Sequence, residues 1–447
     1  MEPSDRYLNN KAIKYMLRAH KPDVALSLAN LFVRTDDKSP ALVLAELHEM
    51  QCMWFEYESA HAALARGNVI ECLKQCQWIE RHFETFVDDM FDFHDFALRK
   101  MTLRSYMALQ RNEARIRAAP MFRRMVALAL QAIFRVHDQG AGKSELARLR
   151  KAEEAARKAA AEDADESRFA GMTPTEKKMA VAKLKKERLA KEQAAVAAAA
   201  AAQQQQSEDE AGKGGGAAGD LAAAMMSNQG RPRKRLDVAA DADPQGVRHF
   251  EAVQADPLKY AQKLVDLLAA DAPDAMEAAV ARFDVAVRRR QLDVCVAAME
   301  TAVRANGGSF KHAQIAPRLL PLAFHAGQGG ATTWRAKTAT PVAIDDALAS
   351  RLAVAPAQAE AAALELLRGP DARLAVAAGE ALVAMDAAKH AAAVAQAIGS
   401  VVEPLELALA ARDVLAGTGV GEAHAAKCAA RWPLTGKLWQ EAAKKAN

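Results

Sequence analysis

The segment "DDMFDFHDF", residues 88–96, concentrates side chains that could do chemistry. Carboxylates and an imidazole are metal ligands, and they can also act as general acids and bases. A metal site would need more ligands at suitable spacing, yet the preceding histidine, His82, lies twelve residues before His94. The same nine residues also fit one helix that has an apolar face and a charged face.

Helical spacing separates the two kinds of side chain. Apolar residues recur every three or four positions, at Phe86, Met90, Phe93, Ala97 and Met101. Charged residues follow the same rhythm on another face, at Asp88, Asp92, Asp95 and Arg99. Asp95 and Arg99 are also spaced for an ion pair across one helical turn. We therefore predict a packed helix over residues 86–104 with a charged outer face, rather than a metal or acid–base site.

A second candidate, "GAGKS" at residues 140–144, resembles the end of a phosphate-binding loop. The full pattern requires a glycine at the position that His137 occupies, and a strand before the loop. The preceding "ALALQAIFRVHDQ" predicts a helix instead. The sequence also contains no nucleophile-elbow or zinc-protease motif, and no dinucleotide-binding fingerprint that follows a strand. It therefore indicates a protein that is not an enzyme.

Two basic regions remain as candidate binding sites. At the N-terminus Lys11, Lys14, Arg18 and Lys21 recur at helical spacing, with Tyr15 beside them. Such a row can hold a phosphorylated ligand, although spacing alone favours a solvated helix face. The second region carries seven basic residues, which are Lys177, Lys178, Lys183, Lys185, Lys186, Arg188 and Lys191. They could bind rRNA phosphates, direct nuclear import or serve only solubility.

The elements that position these residues are predicted to be helices. The chain has 447 residues, 51% of them hydrophobic but only 5% aromatic, and alanine supplies much of the apolar content. Alanine is the best helix former and a small core residue. Runs of β-branched residues with period-two alternation are nearly absent, which argues against a sheet.

Three stretches share a helix–turn–helix pattern with small residues where paired helices would meet. In the stretch around the turn Gly67-Asn68 these residues are Ala60 and Cys72. A second, weaker pattern has Leu292 and Cys295 after its turn, and the N-terminal one has Ala25 and Ala29. This arrangement is typical of tetratricopeptide repeats. The predicted fold is all-α, an α-solenoid of such helix pairs with a long charged helix and a disordered linker.

Composition divides the chain into three predicted domains: helical repeats over 1–142, a charged basic helix with a low-complexity linker over 143–243, and further helical repeats over 244–447. The odd number of scattered cysteines indicates buried free thiols in a reducing compartment. The N-terminus lacks a secretory signal, and the alanine run near residues 194–202 is too short to span a bilayer. We expect a soluble, intracellular protein that does not bind membranes.

Five segments of the chain are similar to those of a known family: "DRYLNNKAIKYMLRA", "LHEMQCMWFEYESAHAALARGN", "IERHFETFVDDMFDFHDF", "ALRKMTLRSYMAL" and "IFRVHD". Together they resemble the auxiliary, ribosome-anchoring subunit of N-terminal acetyltransferase A, the NatA complex. The resemblance is dense over residues 5–138 and looser but collinear over 240–300 and 370–435. Family members are longer, and the chain corresponds to their C-terminal half.

The resemblance implies a non-catalytic scaffold that wraps and activates the catalytic acetyltransferase subunit, which itself binds acetyl-CoA. It also implies attachment to ribosomal RNA near the tunnel exit through the basic segment, for co-translational N-terminal acetylation. The small regulatory huntingtin-interacting protein K is a further implied partner. The implied location is cytoplasmic and ribosome-associated, with a nuclear fraction. The alternative function is a repeat adaptor that binds ribosomes or RNA through its basic helix without an acetyltransferase.

Family members hold an inositol polyphosphate, inositol hexakisphosphate, as a structural ligand at the interface with the catalytic subunit. The "KYMLRA" motif contributes to that site in the family. The matching residues here are Lys14 and Tyr15, with Arg18 as an addition. The resemblance therefore favours a ligand site over a merely solvated face for the N-terminal row.

Overall fold

The computed structural model describes residues 5–33, 39–99, 103–168, 241, 243–326, 350–416 and 420–432. These residues form α-helices, two 3-10 turns and short connections, with no β-strand among them. The all-α prediction is therefore confirmed for this part of the chain. The predicted linker and the basic residues of 177–191 lie outside the described residues.

The N-terminal block contains α1 (Arg6–Arg18), α2 (Pro22–Ala29), α3 (Pro40–Glu49), α4 (Met53–Ala65), α5 (Val69–Arg99), α6 (Leu103–Glu113) and α7 (Pro120–Gln139). Local sequence explains where several of these begin. The Asp5 carboxylate accepts hydrogen bonds from the first backbone N–H groups of α1, and Ser39 does the same for α3. Proline occupies the first position of α2, α3 and α7, where its missing N–H is harmless.

The later block contains α9 (Val247–Ala255), α10 (Pro257–Asp271), α11 (Met276–Arg289), α12 (Leu292–Ala305), α13 (Ala316–Ala326), α14 (Ala359–Arg368), α15 (Ala372–Ile398), α16 (Leu405–Leu415) and α17 (Gly421–Arg431). Helix α15 is interrupted at Asp386, whose backbone leaves the helical region. The Asp386 carboxylate accepts a hydrogen bond from the Lys389 N–H, 3.0 Å away. It therefore caps a second helical segment inside α15.

The three predicted helix pairs are confirmed. Helices α1 and α2, α4 and α5, and α11 and α12 each pack against one another. Ala60 and Cys72 are fully buried on either side of the turn at Gly67, and Ala25 and Cys295 are fully buried in their own pairs. Small side chains at these positions let two helices approach closely. The described part of the chain therefore contains tetratricopeptide-like helix pairs.

The acidic segment lies at the end of α5, which continues as a helix to Arg99. The helical prediction is therefore confirmed that far, and Asp88 is exposed as the charged face requires. One part of the prediction is wrong: Phe86, assigned to the packed face, is 39% exposed. Helix α5 has 31 residues and its partner α4 has 13. The later turns of α5 therefore extend beyond the end of α4 and do not pack against it. The remaining side chains of the predicted stripe lie outside the described ones.

The two helical blocks belong to one compact unit, formed by residues 1–146 and 238–447. Helix α7 packs against both α5 and α10, which joins the blocks. The buried Glu80 carboxylate accepts hydrogen bonds from the Tyr260 hydroxyl at 2.8 Å and from Lys263 Nζ at 2.7 Å. Lys74 Nζ lies 2.7 Å from Asp241, in a largely buried ion pair. Helix packing and buried polar contacts therefore connect the two blocks.

Helix α8 (Lys143–Arg168) crosses from that unit into a second one, residues 147–237. It is the first part of the predicted charged helix. Its residues from 147 to 155 are exposed except position 149, which is half-buried, and this fits a helix with little to bury. The predicted domain division at residues 142 and 243 stays a prediction.

Four of the five cysteines are buried as free thiols, as expected, and Cys52 is half-buried. None of the described helices combines the length and hydropathy that crossing a membrane requires.

Candidate polyanion-binding site

The predicted basic row lies on the outer side of α1. Ile13 and Leu17 form the buried side of this helix, with 3% and 1% of their surface exposed. Residues four apart share a helix face, so Ile13 and Leu17 mark the side of α1 that faces the core. Lys11, Lys14 and Arg18 lie at other positions around the helix. Lys11 and Arg18 are exposed, and Lys14 is half-buried at the edge of the helix. The row is accessible to a ligand.

Glu58 of α4 brings two of the predicted ligand-binding residues together. Lys14 Nζ lies 3.1 Å from Glu58 Oε1. Arg18 donates to both carboxylate oxygens, from Nε at 3.0 Å and from Nη2 at 2.8 Å. The Glu58 side chain is only 8% exposed, whereas those of Lys14 and Arg18 are 37% and 52% exposed. The carboxylate therefore anchors two cations at the protein surface.

The electrostatics of Glu58 follow from this geometry. Burial raises the pKa of the carboxyl group, because it disfavours the charged form. Hydrogen bonds and charge from Arg18 and Lys14 lower the pKa by more, so the net result is below the ordinary value of 4.5. Glu58 is therefore ionised at neutral pH and cancels one unit of positive charge in the row.

Tyr15 projects from α1 with 60% of its surface exposed. Tyr7, about two turns earlier on α1, is 68% exposed. Lys11 Nζ lies 5.4 Å from the centre of the Tyr7 ring. Leu8 is half exposed as well. The surface of α1 thus combines cations with large apolar side chains, a mixture typical of surfaces that bind a charged ligand or a partner protein.

The site can bind anions through more than one group. A lysine ammonium has three N–H donors, so its contact with Glu58 does not exhaust Lys14. Lys11 and Lys21 add two exposed cations at the ends of the row. The structure brings Lys14 and Arg18 together on one carboxylate and places Tyr15 on the same helix. This arrangement fits the binding of an anion.

Glu58 is the residue that sequence reasoning missed. It lies 40 positions after Arg18 and reaches α1 only because α1 and α4 pack together. A glutamate in the middle of a helix gives no local signal of such a role. Only knowledge of which helices are neighbours would have identified it.

The "GAGKS" segment is structural. Helix α7 precedes it, as predicted, and Gly140 ends that helix with a left-handed backbone conformation. Gly142 has φ +86°, and a Cβ atom placed on it would lie 2.5 Å from Phe250 Cζ and 2.8 Å from Val69 Cγ2. The glycines therefore allow a helix end and a close approach between chain segments, with no phosphate-binding strand before them.

Comparison with known proteins identifies the family. Residues 1–302, two thirds of the chain, match the family model described as N-terminal acetyltransferase A, auxiliary subunit. The chain belongs to this family. The resemblance found in the sequence is therefore confirmed.

Curated relatives match part of the chain. The mouse "N-alpha-acetyltransferase 16, NatA auxiliary subunit" is 38% identical over 138 residues, which are 31% of this chain and 16% of that protein. The Arabidopsis "N-terminal acetyltransferase A complex auxiliary subunit NAA15" is 34% identical over 152 residues, 33% of this chain and 16% of the relative. The matched segments thus span about one sixth of these relatives.

A solved structure, "Structure of Naa15/Naa10 bound to HypK-THB", aligns with 72% of this chain and 32% of its own chain. The TM-score is 0.44 and the sequence identity is 22%.

Proposed function

We propose that the chain is a non-catalytic scaffold subunit of a NatA complex, which binds and activates a catalytic acetyltransferase subunit. The match of residues 1–302 to the auxiliary-subunit family carries this proposal. The helix pairs support it, because stacked pairs offer long surfaces for gripping another polypeptide. In this proposal acetyl-CoA is bound by the partner, and the chain orders the partner's active site.

The exposed apolar side chains of the first helix pair are the proposed contact with the catalytic subunit. Tyr7, Tyr15 and Leu31 expose 68%, 60% and 56% of their surface. Aromatic side chains that become buried on binding supply much of the energy of protein interfaces. Their neighbours Lys11 and Lys14 make this surface basic as well as apolar.

Inositol hexakisphosphate is the proposed structural ligand of the basic row, held by Lys14, Tyr15 and Arg18. A polyphosphate between two basic surfaces would offset their mutual repulsion and strengthen the complex. The contacts of Lys14 and Arg18 with one carboxylate, Glu58, show that both cations lie close together on the same side of α1, which supports this role.

Ribosome attachment is proposed for the seven basic residues between 177 and 191, through salt-dependent contacts with rRNA phosphates. A cytoplasmic, ribosome-associated location follows from this proposal. The solved complex named above also contains HypK, and we propose a HypK-type protein as a further partner.

Co-expression tests the scaffold function. The tagged chain is produced with the catalytic NatA subunit of the same organism, purified, and assayed for retained partner and for acetylation of N-terminal peptides. We expect the partner to co-purify and acetylation to exceed that of the catalytic subunit alone. Acetyl transfer by the isolated chain, or failure to retain the subunit, would contradict the proposal. Recovery of ribosomes without an acetyltransferase would favour the adaptor function instead.

A matched pair of variants locates the contact. The double variant Tyr7→Ser and Tyr15→Ser should reduce partner retention, since it removes exposed aromatic surface without touching the core. The control is Met107→Ser on α6, where the side chain is 40% exposed and lies outside the proposed contact. Equal retention by both variants would move the contact away from α1.

A further inference from the structure

Three buried titratable side chains converge between α3, α4 and α5. His48 lies near the end of α3, Glu56 in the first turn of α4, and His82 in the middle of α5. His48 Nδ1 is 2.6 Å from Glu56 Oε1, and His82 Nε2 is 2.7 Å from the same oxygen. The three residues expose 3%, 0% and 1% of their surface. Two imidazoles therefore meet one carboxylate in the interior of the fold.

Aromatic packing fixes this arrangement. The Trp78 indole stacks on the His48 ring with 4.5 Å between centroids and an interplanar angle of 15°. The centroids of the Trp78 and His82 rings are 6.2 Å apart. Trp78 is itself buried. The imidazole rings are therefore held in place by packing as well as by their contacts with Glu56.

Two buried polar atoms of the cluster have no hydrogen-bond partner. Among the described residues, Glu56 Oε2 and His82 Nδ1 are buried and accept or donate no hydrogen bond. A buried carboxylate is costly unless positive charge and hydrogen bonds compensate it. The nearby cations Lys74 and Arg81 lie over the Trp78 ring and pair with Asp241. The compensation for Glu56 must therefore come from within the cluster, as a shared proton or a bound cation.

The donor set fits a particular class of cation. Two imidazole nitrogens and a carboxylate oxygen are ligands of zinc and similar divalent transition metals, whereas calcium and magnesium prefer oxygen alone. One donor atom from each residue lies within 4.8 Å of the others. Tetrahedral zinc ligands lie about 3.3 Å apart, so the contacts of 2.6 and 2.7 Å to Glu56 would lengthen by roughly 0.6 to 0.7 Å on metal binding. A metal ion bound by both carboxylate oxygens would also give Glu56 Oε2 a partner. A proton shared between Glu56 Oε1 and an imidazole would leave Oε2 without one.

We propose that His48, Glu56 and His82 form a binding site for a divalent transition-metal ion of the zinc class. The ion would bind His48 Nδ1, the Glu56 carboxylate and His82 Nε2, and so tie three consecutive helices together. Its role is structural, because the site is buried. The buried His82 Nδ1 has no hydrogen-bond acceptor among the described residues, and such a second partner normally strengthens a metal-bound imidazole. Binding is therefore expected to be weaker than at a fully supported zinc site.

Metal titration of the full chain, after treatment with a chelator, tests the proposal. Zn²⁺ should bind with a stoichiometry of one per chain and raise the melting temperature, and Co²⁺ should give the visible absorption of a low-symmetry site. Glu56→Gln and His48→Gln should each lower the metal affinity at least tenfold. The matched controls are His61→Gln and Glu84→Gln, which change exposed residues on α4 and α5. Absence of saturable binding, or equal binding by cluster and control variants, would overturn the proposal and leave a proton-sharing cluster.

X-ray absorption of the zinc-loaded wild-type chain keeps the test valid if a cluster variant fails to fold. The spectrum should show scattering from two imidazole rings with nitrogen and oxygen neighbours. A spectrum without imidazole scattering, or one dominated by sulfur, would place the ion elsewhere and overturn the assignment.

Discussion

Arg18 of α1 and Glu58 of α4 form a two-point ion pair, with Nε donating to Oε2 at 3.0 Å and Nη2 donating to Oε1 at 2.8 Å. The carboxylate is nearly buried, and Lys14 reaches the same oxygen that Nη2 contacts. The pair therefore joins two helices and also sets the charge of the basic row.

Replacement of Glu58 by glutamine should strengthen polyphosphate binding. The change removes a negative charge that competes for Lys14 and Arg18, while an amide of the same shape remains. We expect the affinity for inositol hexakisphosphate to rise several-fold, measured by calorimetry on the purified chain. The control is Glu365→Gln on α14, which removes one partner of the exposed ion pair with Lys311. Weaker binding by the Glu58 variant would mean that orientation of the cations matters more than their net charge.

Charge reversal at Lys14 should have the opposite effect. Lys14→Glu places a second carboxylate beside Glu58 and removes one cation from the row. Affinity for inositol hexakisphosphate should fall about tenfold or more, which corresponds to at least ~1.4 kcal/mol. The matched variant Lys311→Glu changes another partly exposed lysine that also has a glutamate partner. If both variants bind as the wild type does, the basic row is only a solvated helix face.

His249 predicts a specific dependence of stability on pH. Burial is the main reason that its pKa is lowered from 6.5 to about 4. The unfolded chain therefore binds an extra proton between these values, so stability is complete above pH 6.5 and is lost as pH falls toward 4. The free energy of unfolding should decrease by up to about 1.4 kcal/mol per pH unit from this group.

Urea unfolding at several pH values checks this prediction. His249→Gln keeps a polar group beside Gln77, its hydrogen-bond partner in the wild type, but cannot titrate. Its stability should therefore vary less between pH 6.5 and 4 than that of the wild type. His61→Gln, which changes an exposed histidine, should follow the wild-type profile. Parallel profiles for the wild type and His249→Gln would contradict the assignment.

Two glycines with similar backbone conformations should respond differently to alanine. Gly142 and Gly67 have φ of +86° and +82°, so each substitution introduces backbone strain of about 1 kcal/mol. At Gly142 the new methyl group would also collide with Phe250 and Val69, whereas nothing lies within 4 Å of the corresponding position at Gly67. We expect Gly142→Ala to cost about 2–4 kcal/mol in total, against about 1 for Gly67→Ala.

Chemical denaturation of both glycine variants provides the comparison. Equal losses of stability would show that the close packing at Gly142 relaxes easily. A large loss at Gly142 alone would support the structural role of the "GAGKS" segment.

Local sequence patterns predicted the helical elements well. Ala60 and Cys72 indicated a close helix pair because small side chains let two helix backbones approach each other. The turn at Gly67 indicated where the first helix ends and the second begins. The helix before "GAGKS" was equally clear, since its apolar residues repeat at helical spacing over many turns. These features depend on neighbours within a few turns of the chain.

Local patterns were a poorer guide where distant segments of the chain meet. Phe86 has the spacing of a packed residue, but whether a helix lies opposite it depends on the length of α4. Glu58 and the cluster of His48, Glu56 and His82 involve residues up to 40 positions apart, on helices that pack only in the folded chain. The carboxylates and imidazoles have ordinary local surroundings in the sequence, and packing alone gives them their partners.

The closeness of Gly142 to Val69 and the pairing of Lys74 with Asp241 bring positions 142 and 241 to the same part of the fold, the beginning of α5. Helix α7, which precedes position 142, also packs against α10, which follows position 241. A protease cut between these two positions would therefore leave two fragments that this packing still holds together.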